Sequence, residues 1–140
     1  KQGILRALVI QVDDSRFPLV VVRFVGPNTD EEFRSYLQAM DRLLEDSRGF
    51  YGLLYDATEA RMPSGRQSRM QTAWMEANED AIRRSSVGTA FVISSVAIRG
   101  VLRAILMMQS MSTPYRVEAT VAAAEAWLRD CLSAARSQRL

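Results

Sequence analysis

The sequence predicts an α/β fold, a mixed but mostly parallel sheet of five strands covered by about four helices in the order ββαβαβαβα. Three observations lead there. Short β-branched runs alternate with stretches whose apolar residues recur at helical spacing, the pattern of a parallel sheet with crossover helices. The first two runs are separated only by residues 13–18, too few for a crossover, so they form a hairpin. The 140 residues hold no repeat and no linker long enough to divide them. A single domain over 1–140 is therefore expected, burying about two-thirds of the surface its unfolded chain exposes.

Residues 4–12 and 19–25 read as the hairpin strands, interrupted by Arg6, Gln11 and Arg23 in the manner of edge strands. Gly26, Pro27 and Asn28 end the second. Thr29 and Glu32 stand in the S/T-x-x-E spacing of a capping box, so a helix starts there. Its stripe is Phe33, Leu37, Met40 and Leu44, widened by Tyr36 and Leu43, with Gly49 as the exit. Residues 50–55 form a buried strand ending at Asp56, and a polar loop marked by Gly and Pro follows over 57–65. A helix over about 66–84 presents Met70, Ala73, Trp74, Ala77 and Ala81 on one face. Next come a strand over 88–94 and a helix with Ile98, Val101, Leu102, Ile105 and Met108 inward. A short strand at 114–117 precedes a last helix lined by Val121, Ala124, Leu128 and Cys131. The Arg/Ser/Gln tail beyond it is expected to fray.

Composition excludes several chemistries. There is no histidine, which removes Ser–His and Cys–His nucleophiles and every His-containing metal site. The lone cysteine, Cys131, removes an internal disulfide and cysteine metal clusters, and on an apolar stripe it reads as an inert packed thiol. No phosphate-loop or dinucleotide fingerprint occurs. No constellation proposes a reaction, so the chain is read as a non-enzyme without metal or cofactor. The absence of a signal segment or a membrane-length apolar run makes the cytoplasm the expected compartment.

The net charge of +2 hides an uneven distribution. Residues 28–48 carry six acids against three arginines, whereas the five arginines between 81 and 117 have no acid among them. Such asymmetry can steer a charged partner. Aromatic platforms among the arginines are sparse, which argues against nucleic acid.

Three stretches carry a resemblance: Tyr51-Gly-Leu-Leu-Tyr-Asp56, Thr89-Ala-Phe-Val-Ile-Ser94 before a helix, and Tyr115-Arg-Val followed by Ala123-Ala-Glu-Ala-Trp-Leu128. Together they resemble the STAS fold of bacterial anti-sigma factor antagonists, and more nearly its SpoIIAA-like relatives. The resemblance implies a regulatory or signalling domain that binds a protein. In the antagonists a strand-end aspartate leads to a phosphorylated serine at the next helix start. Here Asp56 and Ser64-Gly65 overlay those positions, with Pro63 standing in place of the acidic residue before the serine.

The expected partner surface is thus the 56–70 loop and the helix after it, through Asp56, Thr58, Arg61, Ser64, Gly65, Arg66 and Arg69. Met62, Met70 and Met75 add apolar area there, and a homodimer is the other assembly considered. Each residue also has a purely structural role. Ser64 with Gln67 forms a capping-box spacing, and Asp56 can close an Asx-type turn on Thr58. Met107, Met108 and Met111 read as core filler. The alternative function is an anion or small-molecule site at the carboxyl edge of the sheet, using Ser94, Ser95 and Arg99.

Overall fold

The computed structural model describes residues 10–46, 49–61, 63–108 and 111–138, without the side chains of Ile105 and Met108. Its strands are β1 (Gln11–Arg16), β2 (Leu19–Gly26), β3 (Tyr51–Ala60), β4 (Ser86–Val92) and β5 (Tyr115–Glu118). The helices are α1 (Asp30–Glu45), α2 (Gly65–Ala77), α3 (Glu79–Ser85), α4 (Val96–Met108) and α5 (Val121–Gln138). One sheet holds the five strands in the order β1-β2-β3-β4-β5; β1 runs antiparallel to β2, and all other pairs are parallel. The mixed α/β class is as expected, with five described helices instead of about four.

The hairpin turn is tighter than the sequence suggested. Residues 13–16 belong to β1, and Arg16 pairs with Leu19 across a turn at Phe17-Pro18. A register shift between Asp13 and Arg16 absorbs the misfit, while the Asp13 carboxylate accepts from the Ser15 amide at 2.9 Å. Charge is tolerated because β1 is an edge strand and exposed along most of its length. The part of the first expected strand over 4–9 lies outside the described residues.

The core has two layers. On one face α1 lays Phe33, Tyr36, Leu37, Met40 and Leu43 over Val20, Val22, Tyr51 and Leu53. The capping box forms in full: Glu32 N donates to Thr29 Oγ1 at 3.1 Å and Thr29 N to Glu32 Oε1 at 2.8 Å. Three acids in its first turn suit the positive end of the helix dipole. On the other face α5 buries Ala124, Leu128 and Leu132, the first two against Leu19, Leu54, Ala90 and Val92. Glycines let α5 approach: a Cβ on Gly88 would sit 3.1 Å from Trp127 Cη2, and one on Gly52 would sit 3.3 Å from Leu128 Cδ2. α5 stays helical to Gln138, so residues 136–138 of the Arg/Ser/Gln tail, expected to fray, complete its last turn.

Three further differences matter for function. The strand ending at Asp56 runs on to Ala60, because β2 is long enough to pair Val25 with Glu59 and Gly26 with Ala60. The single helix expected over 66–84 breaks at Asn78. There Nδ2 donates to the Trp74 carbonyl at 2.8 Å beside the residue's own N–H at 3.1 Å, the side-chain competition that ends helices. Third, α4 turns two residues of the predicted stripe, Ile98 and Val101, to solvent and leaves Leu102 half-buried, while the side chains of Ile105 and Met108 lie outside the described residues. Val96, Ile98, Val101 and Met107 are exposed, Met107 at 82%, and Leu106 is buried instead. The helix is held by its arginines: Arg99 reaches the carbonyls of Ile93 and Ser94, and Arg103 that of Val117.

Candidate functional site

Asp56 and Thr58 lie on β3 itself. Between the pairs Arg23↔Asp56 and Val25↔Glu59 the chain advances by three residues on β3 and two on β2, a β-bulge. Asp56 is the last paired residue before the bulge, which holds Ala57 and Thr58, and its Oδ1 accepts from Thr58 N at 3.1 Å and from Thr58 Oγ1 at 2.7 Å. The expected Asx-type contact is present, but within a strand. Arg23 spans the bulge from the neighbouring strand, 3.9 Å from Asp56 Oδ2 and ion-paired with Glu59. Asp56 is therefore committed to Thr58 and Arg23.

Ser64 is the N-cap of α2, its Oγ accepting from Gln67 N at 3.0 Å. Only this half of the expected capping box forms. The Gln67 side chain turns the other way and is buried, donating to Asn28 O at 2.8 Å and to Asp30 Oδ1 at 3.1 Å. Sequence reasoning treated Gln67 as a cap partner, whereas it pins α2 to the start of α1. Farther along, Trp74 Nε1 donates to Asp41 Oδ1 at 2.7 Å. Two polar clamps thus hold α2 against α1, and Gln67 is the residue of α2 that is fully buried.

The remaining site residues face solvent. Arg66 is 71% exposed and 3.3 Å from Asp30 Oδ2. Gly65 opens the helix, and an Arg69 nitrogen lies 3.4 Å from where its Cβ would stand, so that guanidinium covers the first turn. Arg61 and Arg69 are exposed and have no ion-pair or hydrogen-bond partner among the described residues. No bond links Asp56 to Ser64. Outward from these arginines α2 shows a shallow depression lined by Ser68, Arg69, Thr72, Ala73 and Glu76. Met75 is exposed beside it and Met70 is half-buried, while Met62 lies outside the described residues.

At the alternative site, Ser95 Oγ accepts from Ile98 N at 3.3 Å and begins α4. Arg99 donates to the carbonyls of Ile93 at 2.8 Å and Ser94 at 2.9 Å. The three residues do come together, but the guanidinium is turned onto its own backbone. The arginine-only stretch also loses part of its isolation in three dimensions. Arg83 pairs with Glu79 at 2.6 Å and Asp80 at 3.1 Å, and Arg116 lies 3.6 Å from Glu118.

A buried polar group went unread in the sequence. The Tyr36 hydroxyl meets Tyr55 at 2.8 Å and Gln71 Oε1 at 3.0 Å, inside an aromatic box of Phe24, Phe33 and Phe91. Burial pushes Tyr55 up to about 12 and raises Tyr36 well above an ordinary phenol. The alternation of Tyr51, Leu53 and Tyr55 on one strand face was the available signal. Cys131 is partly buried and burial raises its thiol, in keeping with a packing role. Among the described residues no cluster of carboxylates and cysteine can hold a metal ion, and no helix is long and apolar enough to cross a membrane.

No protein-family model matches the sequence, and no curated protein matches it. Among solved structures, it is similar to an uncharacterized protein of the DUF3478 family with a SpoIIAA-like fold from Shewanella loihica PV-4. That similarity has a TM-score of 0.66 at 14% identity, and it covers 86% of this chain and 92% of the other. The chain therefore has a SpoIIAA-like fold, as the resemblance of its strands and closing helix implied.

Proposed function

We propose that this protein is a non-enzymatic regulatory domain that docks an acidic segment of a protein partner on the 56–70 region and α2. The observation that carries this is the unpaired charge. Arg61 and Arg69 have no partner among the described residues, Arg66 is mostly exposed, and residues 60–75 contain no acid. Guanidiniums without internal carboxylates gain most from a carboxylate supplied from outside. The SpoIIAA-like fold agrees with such a role. Exposed Met75, with Ala73 in the depression along α2, adds the apolar contact that an interface core needs.

Ser64 extends the proposal to a switch. It is exposed and already caps α2, so a phosphate there meets the amides of a helix N-terminus with Arg66 and Arg69 at hand. The added charge would neutralise the arginines and release an acidic partner.

The test is affinity capture from the native cell with the wild-type chain and with an Arg66→Glu/Arg69→Glu variant. A partner retained by the first, lost with the second and weakened by salt supports the proposal. Capture indifferent to both changes sinks it, and recovery of only the chain itself assigns the surface to a homodimer. The alternative anion site has less support, since Arg99 is engaged by two carbonyls.

A further inference from the structure

A cavity of about 160 Å³ opens at the other end of the sheet, between the β1–β2 hairpin and the C-terminal half of α5. Arg16, Arg129, Arg136 and Ser133 line it on its polar side, and Pro18, Leu19 and Leu132 supply its apolar wall. The three arginines come from two elements distant in sequence, β1 and α5.

One carboxylate partly explains the cluster. Glu125 Oε1 accepts from Arg16 at 2.5 Å and from Arg129 at 2.9 Å, and this contact with Arg129 holds its carboxyl below the usual range. On the hairpin side the Asp13 carboxylate accepts from the Ser15 amide at 2.9 Å. Arg136 has no partner among the described residues. Arg16 and Arg129 thus share one carboxylate that orients both, and Arg136 stands outside that pair. The excess positive charge faces a cavity with an apolar wall.

We infer that this cavity binds a small organic phosphomonoester, the phosphate on the arginines and a short apolar body against Leu19 and Leu132. Guanidinium forks match phosphate oxygens in bidentate geometry, and Ser133 offers a further donor. The size fits: a cavity of about 150 Å³ accepts a benzene ring. Leu19 opens β2, whereas the 56–70 region follows the far end of the parallel strands, so this site is separate from the partner surface.

The experiment is thermal unfolding with phenyl phosphate, inorganic phosphate or chloride at matched ionic strength, followed by calorimetric titration of phenyl phosphate. A ligand bound only to the native state raises Tm in proportion to its saturation. The expected result is a saturating rise with phenyl phosphate, larger than with inorganic phosphate and absent with chloride. Arg136→Ala should weaken binding at least about tenfold, the loss of one charge-assisted pair. Arg84→Ala, removing another exposed arginine, should leave it unchanged. Equal rises in all three salts, or binding unaffected by Arg136→Ala, would overturn the assignment. Equal shifts with the two phosphates would overturn its apolar half.

Discussion

The Tyr36 hydroxyl sits 2.8 Å from the Tyr55 hydroxyl beneath α1 and also donates to Gln71, so one buried group joins α1, β3 and α2. With the Gln67 and Trp74 hydrogen bonds to α1 and its approach, it fixes how α2 sits on the sheet. Tyr36→Phe leaves Tyr55 and Gln71 each short of a bond, and such loss costs about 1–3 kcal/mol. Urea unfolding should show that decrease in stability, with greater amide exchange in α2 than in α5.

The same tyrosines set the response to alkali. Burial is the main cause that raises Tyr55 to about 12 and raises Tyr36 and Tyr51 in the same direction. In the unfolded chain a phenol loses its proton near 10. Between those values the native state keeps protons that the unfolded state has released, so stability is full below about pH 10 and falls as pH rises. Each retained proton contributes a slope of about 1.4 kcal/mol per pH unit. In a Tyr115→Phe variant, which keeps only these three tyrosines, tyrosinate absorbance should therefore appear together with loss of ellipticity. Free titration near pH 10 in a folded protein would contradict the buried geometry.

Legibility in the sequence depended on how local the chemistry was. The Thr29-x-x-Glu32 box is complete within one helical turn, and it formed as read. Ser64-x-x-Gln67 has equivalent spacing but formed only by half, because Gln67 had a better partner in Asn28, distant along the chain. The extension of β3 to Ala60 was equally invisible, since it depends on the length of the neighbouring strand. α4 misled for another reason. Its apolar residues favour one side, but Ile98 and Val101 of that side face solvent while Arg99 and Arg103, on the opposite side, find carbonyls.

Gly88 shows how closely α5 packs. A methyl group there would stand 3.1 Å from Trp127 Cη2 and 3.5 Å from both Cys131 Sγ and the Pro114 carbonyl. The last two are ordinary contacts, so it is the Trp127 ring that must give by a few tenths of an ångström. Gly88→Ala should lower stability by about 1–3 kcal/mol, the usual range for overpacking. Tryptophan fluorescence would report the shift at Trp127, and an unchanged Tm would mean that the helix rides farther from the sheet.

Ser64 offers a separable test of cap and switch. Ser64→Ala removes the acceptor for Gln67 N, and loss of such a cap costs about 0.5–2 kcal/mol. Ser64→Asp keeps an acceptor and adds charge at the positive end of the helix, so its stability should match or exceed wild type. If release of the partner is electrostatic, Ser64→Asp binds less tightly than Ser64→Ala despite being the more stable protein. Parallel loss of stability and binding in both variants would leave Ser64 as a cap alone.

The exposed side of α4 gives the clearest contrast between pattern and structure. Val101 lies on the stripe that periodicity assigned to the core, yet it is 58% exposed. A buried valine truncated to a polar residue costs several times more than the roughly 0.5 kcal/mol typical of surface changes. Val101→Ser should therefore unfold within about 0.5 kcal/mol of wild type, whereas Leu106→Ser, a few residues along the same helix and buried, should lose more than about 2 kcal/mol. The pair must be measured in dilute and concentrated protein. A cost at Val101 that grows with concentration would show another copy of the chain covering α4, and a large cost independent of concentration would return Val101 to the core.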